Sequence, residues 1–146
     1  MTSNPATSTK KWPLEGIKVL DLGQIYNGPY AGFLLAHAGA DVVKVEPLSG
    51  EVLRERGGGE VPLSFAMLNT NKRGITINLK ESKGKELLLD LAGEADVLLE
   101  NFAPGAMDRL DLGIDLFLEK NPRLIYASGS GYGLTGPKKD NLAMDL

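Results

Sequence analysis

The chain has 146 residues, of which 42% are hydrophobic and 24% charged, and its net charge is -3 with a pI near 5.2. That is enough for one domain with its own core, and it excludes a disordered or membrane-embedded composition. It has no cysteine and a single histidine, His37, which rules out disulfides, thiolate metal sites, a cysteine nucleophile and a multi-histidine metal cluster; no metal is expected. No broad basic stripe points to nucleic acid, and no run of about 18 apolar residues points to a membrane partner.

The opening segment, MTSNPATSTKKW, has no apolar core and is not a secretory signal. Residues 1–12 are expected to be a disordered tail, residues 13–146 a folded domain, and the location cytoplasmic. Residues 17–22 (IKVLDL) predict a buried strand. A helix is expected from Pro29 or Tyr30 to about Ala38, closed by Gly39. Residues 41–46 (DVVKVE) predict the next strand, so strand, helix and strand make a βαβ unit and imply parallel pairing. Residues 47–60 read as a glycine-rich, charged and mobile loop, and 62–69 as a short helix. Residues 74–79 (GITINL) predict a strand, and 82–92 a helix with Ser82 as its N-cap. A strand over 96–101, helical turns to about Lys120, and a strand over 123–127 (RLIYA) complete the pattern. Strands alternating with helices give an α/β class with a largely parallel sheet, covered on both faces.

The stretch ENFAPGAMDRLDLG, residues 100–113, carries the clearest chemistry. Pro104 sits where the first residue of a helix would sit. Such a helix would aim free N–H groups and its positive end at the preceding turn, Asn101, Phe102 and Ala103, which suits a phosphate. Arg109 can reach back over the same spot, and Phe102 supplies a flat apolar face. Lys72, Arg73, Lys80 and Arg109 together could meet several phosphate charges, or each could be a solvated surface charge.

Other motifs weigh less. The first loop, GQIYNGP, lacks the Gly-x-Gly-x-x-Gly of a dinucleotide site, so Glu46 reads as a strand-end charge in solvent rather than a ribose ligand. Residues 131–136 (GYGLTG) have that spacing, but Pro137, Lys138, Lys139 and Asp140 follow where an apolar helix face should begin. A loop over a site or a plain turn fits better. His37 reads as structural or facing its helix dipole. Ser128 and Ser130 lack a nucleophile-elbow context, which argues against a serine hydrolase.

Five motifs in order resemble the class III coenzyme A transferases, the family of formyl-CoA transferase, carnitine-type CoA transferases and α-methylacyl-CoA racemase: PLEGIKVLDLGQIYNGPYAG, AGADVVKVEP, NTNKRGITINLK, ADVLLENFAPGAMDRLDLG and NPRLIYASGSGYGLTGP. The resemblance covers residues 14–146. It implies a Rossmann-like N-terminal part of a larger, interlaced homodimer, incomplete at its C-terminus. It also implies transfer of CoA between an acyl-CoA and a carboxylic acid through an aspartyl-CoA thioester, with coenzyme A as a substrate. By the same resemblance, Ile25, Tyr26 and Asn27 fall where the first loop meets CoA. Ile77, Asn78, Leu79 and Lys80 fall beside adenine and phosphate, and Asn101, Phe102, Ala103, Ala106 and Arg109 at the central turn and helix.

Three positions depart from the family pattern. Asp145 matches an acidic position ahead of the nucleophile, not the nucleophile itself, so no catalytic residue is expected in this chain. Pro47 replaces an arginine found near adenine in formyl-CoA transferase-like members, which does not support formate as the acid. Met144 replaces the histidine of racemases, which disfavours their acid/base chemistry. Two alternatives stand beside the transferase. One is a CoA-binding fragment or subunit of a split enzyme without catalysis. The other is an NAD-dependent oxidoreductase, which the missing glycines of the first loop disfavour.

Overall fold

The computed structural model describes residues 11–57 and 60–143. Five strands form one sheet: β1 (Lys18–Asp21), β2 (Asp41–Glu46), β3 (Arg73–Thr76), β4 (Val97–Glu100) and β5 (Ile125–Ser128). Their order is β3-β2-β1-β4-β5, and every neighbouring pair is parallel. The helices are α1 (Asn27–His37), α2 (Val52–Glu55), α3 (Leu63–Leu68), α4 (Ser82–Gly93), α5 (Ala106–Arg109) and α6 (Ile114–Lys120).

Alternation along the strands sends side chains to two apolar layers, as both faces of a parallel sheet require. Leu20, Leu22, Val45 and Leu98 pack with Leu88 and Ala92 of α4 and Phe117 of α6. Val19, Val42 and Leu99 pack on the other face with Ala36 of α1. A third cluster, Leu53, Phe65 and Leu68, joins α2 to α3. The α/β class and parallel sheet expected from the sequence are therefore observed.

Boundaries differ where local polar groups intervene. The strand expected over 74–79 ends at Thr76. Ile77 still donates to the Glu46 carbonyl at 2.8 Å, but the Asn78 side chain accepts from the Lys80 amide at 3.1 Å and turns the chain away. Ser82 is the first residue of α4 rather than its cap; Glu81 flanks the helix, with no side-chain capping bond. The loop over 47–60 contains α2, whose Leu53 is buried; Gly58 and Gly59 lie outside the described residues. Of the expected tail, residues 1–10 also lie outside them, while Trp12 stands against Gly39 at the end of α1.

The order 3-2-1-4-5 reverses direction between β1 and β4. At such a switch point the loops leaving the two strands part and open a crevice beyond their carboxyl ends. Those loops are residues 22–26, after β1, and 101–105, after β4.

Candidate active site

The crevice is a groove with two lobes. The larger, about 700 Å³, is lined by Gln24, Ile25 and Tyr26 of the first loop, Asn27 at the start of α1, Asn101 to Pro104 of the central turn, and Gly129 to Gly131 after β5. The smaller, about 350 Å³, lies over β2 and β3 between Leu22, Val45, Ile77, Leu79 and Leu110, with Glu46, Asn78 and Lys80 on its wall. Gln24, Phe102 and Ala103 line both lobes, so the Phe102 ring stands at their junction.

Eleven of the twelve site residues expected from the sequence line this groove. Ile25, Tyr26, Asn27 and Asn101 line the larger lobe, Ile77, Asn78, Leu79, Lys80 and Ala106 the smaller, and Phe102 and Ala103 both. Arg109 lines neither; its exposed guanidinium donates to the Pro104 carbonyl at 3.2 Å. Arg109 does reach back toward the turn, as expected. The helix it reaches along is shorter than expected. Pro104 is not its first residue, because Gly105 adopts a left-handed conformation (φ 70°) and α5 spans only Ala106–Arg109. A single turn of helix carries little dipole, so an N-terminal anion site is not formed there.

The two loops are joined by one amide. Asn101 Oδ1 accepts from the Gln24 N–H at 2.6 Å, and Asn101 Nδ2 donates to the Gln24 carbonyl at 3.0 Å. Close approach also explains the glycines of the first loop. A Cβ on Gly28 would lie 2.5 Å from Gly23 Cα and 2.9 Å from Asn101 Oδ1. These glycines allow backbone contact; they are not a phosphate fingerprint.

Beneath the groove lies a charged layer that the sequence analysis did not find. The Asp21–Lys72 pair is 2.6 Å apart, with both side chains almost fully buried. Lys72 Nζ also donates to the Pro29 carbonyl at 2.8 Å. Burial pushes the Lys72 pKa down, with Asp21 opposing. Lys72 is therefore structural, not a phosphate ligand. Lys44 Nζ donates to the Gly23 carbonyl at 2.6 Å and lies 2.9 Å from Glu51 Oε2. Glu51 Oε1 accepts from the Ile25 N–H at 2.6 Å.

Glu46 is likewise not the solvated charge expected. It is buried and receives Arg54 through two bonds, at 2.6 and 2.8 Å, and the Glu51 N–H at 2.9 Å. Burial alone would raise its pKa, but the Arg54 bonds and the Glu51 amide outweigh it and hold the carboxyl below its usual range. Arg73 spans to Asp41 on the outside of the sheet, away from the groove. His37 packs on Phe33, 4.0 Å between ring centroids, at the end of α1, a structural placement.

The signal for the buried layer was present but indirect. Asp21 and Lys44 are charges at inner positions of parallel strands, paired in register with each other. Charges there need partners. The larger lobe also gains Arg56, its one charged wall residue among those described. Glu100 is buried and accepts from the Phe102 N–H at 2.9 Å, fixing the start of the central turn. Burial, then Glu100 and Asp108, push the nearby Tyr126 pKa well above its ordinary value. Among the described residues no cluster of three or more His, Cys, Asp or Glu is placed to hold a metal, and no helix is long and apolar enough to cross a membrane. Met144 and Asp145 lie outside the described residues.

A formyl-CoA:oxalate CoA-transferase of Streptomyces coelicolor is 50% identical over 123 residues, covering 82% of this chain and 30% of its own length. A CAIB/BAIF family protein from Brucella suis superposes with a TM-score of 0.87 at 38% identity, over 93% of this chain and 38% of that one. The Rv3272 protein of Mycobacterium tuberculosis superposes with a TM-score of 0.85 at 41% identity, over 92% of this chain and 38% of that one. The chain thus spans about a third of the length of the relatives it matches. The profile of CoA-transferase family III matches residues 14–146, and the chain belongs to that family.

Proposed function

We propose that this chain forms the CoA-binding part of an enzyme that moves CoA from an acyl-CoA to a carboxylic acid. The observation that carries the reading is the two-lobed groove at the strand-order reversal, in a chain of this family. The smaller lobe is an apolar slot ending at Phe102 with Lys80 on its rim, which suits an adenine ring beside a phosphate. The larger, more polar lobe suits the pantetheine arm and thioester, with Ile25, Tyr26 and Asn27 along it.

In the proposed reaction an aspartate attacks the acyl-CoA carbonyl and displaces CoA as thiolate, giving a mixed anhydride. The thiolate then attacks the aspartyl carbonyl of the anhydride, releasing the first acid and forming the aspartyl-CoA thioester. The incoming carboxylate reverses both steps. Among the described residues, no aspartate lines either lobe. The carboxylates of Asp21, Glu46, Glu51 and Glu100 are buried, and each is engaged by an ion pair or a hydrogen bond within the fold. The nucleophile is therefore assigned to no described residue of this chain. The same observation favours a second reading, a chain that binds CoA and leaves catalysis to another polypeptide. The full enzyme is proposed to be a cytoplasmic homodimer.

Mass spectrometry after incubation with acyl-CoA separates the two roles. The account expects no CoA adduct on this chain; a covalent CoA on any aspartate within it would overturn the assignment. Light scattering tests the assembly, with a monomer at all concentrations contradicting the dimer.

A further inference from the structure

We propose that Glu51 is a positioning residue for the CoA site: its buried carboxylate holds Ile25 in a left-handed backbone conformation and thereby sets the wall of the larger lobe. The proposal rests on the reading of that lobe as part of a CoA site.

Ile25 has φ 64°. A β-branched residue is rarely found there, because its Cβ crowds the backbone. Asparagine and glycine occupy that region far more readily, yet Ile25 has neither the short polar side chain nor the missing Cβ that would ease it. The conformation persists only if the surroundings impose it. Three consecutive residues are held by side chains from other elements. Lys44 holds the Gly23 carbonyl, Asn101 holds both backbone groups of Gln24, and Glu51 holds the Ile25 N–H at 2.6 Å.

Glu51 is itself fixed. Its side chain is 1% exposed, its Oε2 faces Lys44 at 2.9 Å, and its backbone N–H donates to Glu46. The two carboxylate oxygens are divided between a counter-charge and the amide of the strained residue. If Glu51 served only to neutralise Lys44, its second oxygen would have no reason to meet an amide 26 positions away in sequence. The consequence is local: the Ile25 side chain and the neighbouring Tyr26 and Asn27 line the larger lobe.

The test is a double-mutant cycle between Glu51→Gln and Ile25→Gly, read by CoA titration calorimetry and by the Ile25 amide signal in 15N spectra. Glu51→Gln should weaken CoA binding about tenfold, which is about 1.4 kcal/mol. In the Ile25→Gly background the same change should cost less than about twofold, since glycine takes positive φ without help. A merely structural role for Glu51 predicts the same factor in both backgrounds, and that result would overturn the proposal. The Ile25 amide of the unsubstituted chain should be shifted downfield and protected from exchange. An unprotected amide there overturns the proposal even if Glu51→Gln does not fold. Failure of the unsubstituted chain to bind CoA would instead defeat the CoA reading, while the amide measurement still decides whether Glu51 holds the loop.

Discussion

Two glycine-containing loops face each other across the larger lobe, and they are built differently. The loop after β1, residues 22–26, is pinned by Asp21, Lys44, Glu51 and Asn101, all of them reaching it from outside its own five residues. The loop after β5, from Gly129 onward, is held mostly by its own short turns, such as Lys139 N–H to Gly136 carbonyl at 3.3 Å and Asn141 N–H to Lys138 carbonyl at 3.0 Å. Its residues from 131 to 143 are exposed. The first loop is a template whose shape is set by buried charge. The second has its shape set locally. Glycine content therefore says little about rigidity; what matters is where the polar partners come from.

The contrast can be broken at its strongest point. Lys72→Met leaves Asp21 buried without its counter-charge, beneath both the first loop and α1. The loss should be about 3–5 kcal/mol, read by urea denaturation. A change below about 1 kcal/mol would mean that water or another group satisfies Asp21. Asn101→Ala removes both bonds to Gln24 and should cost about 1–3 kcal/mol while uncoupling the two loops of the groove. It should also weaken CoA binding, whereas a purely local role would lower stability and leave affinity unchanged.

Arg54→Gln sharpens the comparison through pH. The Glu46 carboxyl is held below its usual value of 4.5, so the folded state releases that proton more readily than the unfolded chain. The stability this contributes is present above about pH 4.5 and is lost as pH falls through the depressed folded value. Replacing Arg54 removes the main opposing bonds, leaving burial to raise the Glu46 pKa. Thermal melts between about pH 3 and pH 6 should then show destabilisation beginning at higher pH than in the unsubstituted chain. An unchanged acid limb would show that Arg54 is not what holds Glu46 charged. At the other end of the scale, Tyr132→Ala in the loop after β5 should change stability by less than about 0.5 kcal/mol.

Much of the fold was legible because parallel strands leave apolar runs such as VLL at 97–99 and VV at 42–43, and because α4 carries leucines at helical spacing. The groove was legible in part. Asn101 and Phe102 are expected at a site from the central turn, and the segment from Ile77 to Lys80 from the family resemblance; all of them line the groove. The start of α5 was misread because Pro104 is a good first helical residue by itself, while the left-handed Gly105 after it resets the backbone. The buried ion pairs were not legible for a different reason. Lys44 and Glu51 are seven positions apart and Asp21 and Lys72 fifty-one apart, and nothing local marks a lysine as buried. Only the register of β1 against β2 brings Asp21 beside Lys44.

The central claim is that the groove holds CoA. A thermal melt of the chain with CoA, with NAD and with neither tests it most directly, because a ligand that binds the folded state raises the midpoint by mass action. The account predicts a concentration-dependent rise with CoA and none with NAD. A cooperative melt that CoA leaves unmoved, or one that NAD raises more than CoA does, would contradict it.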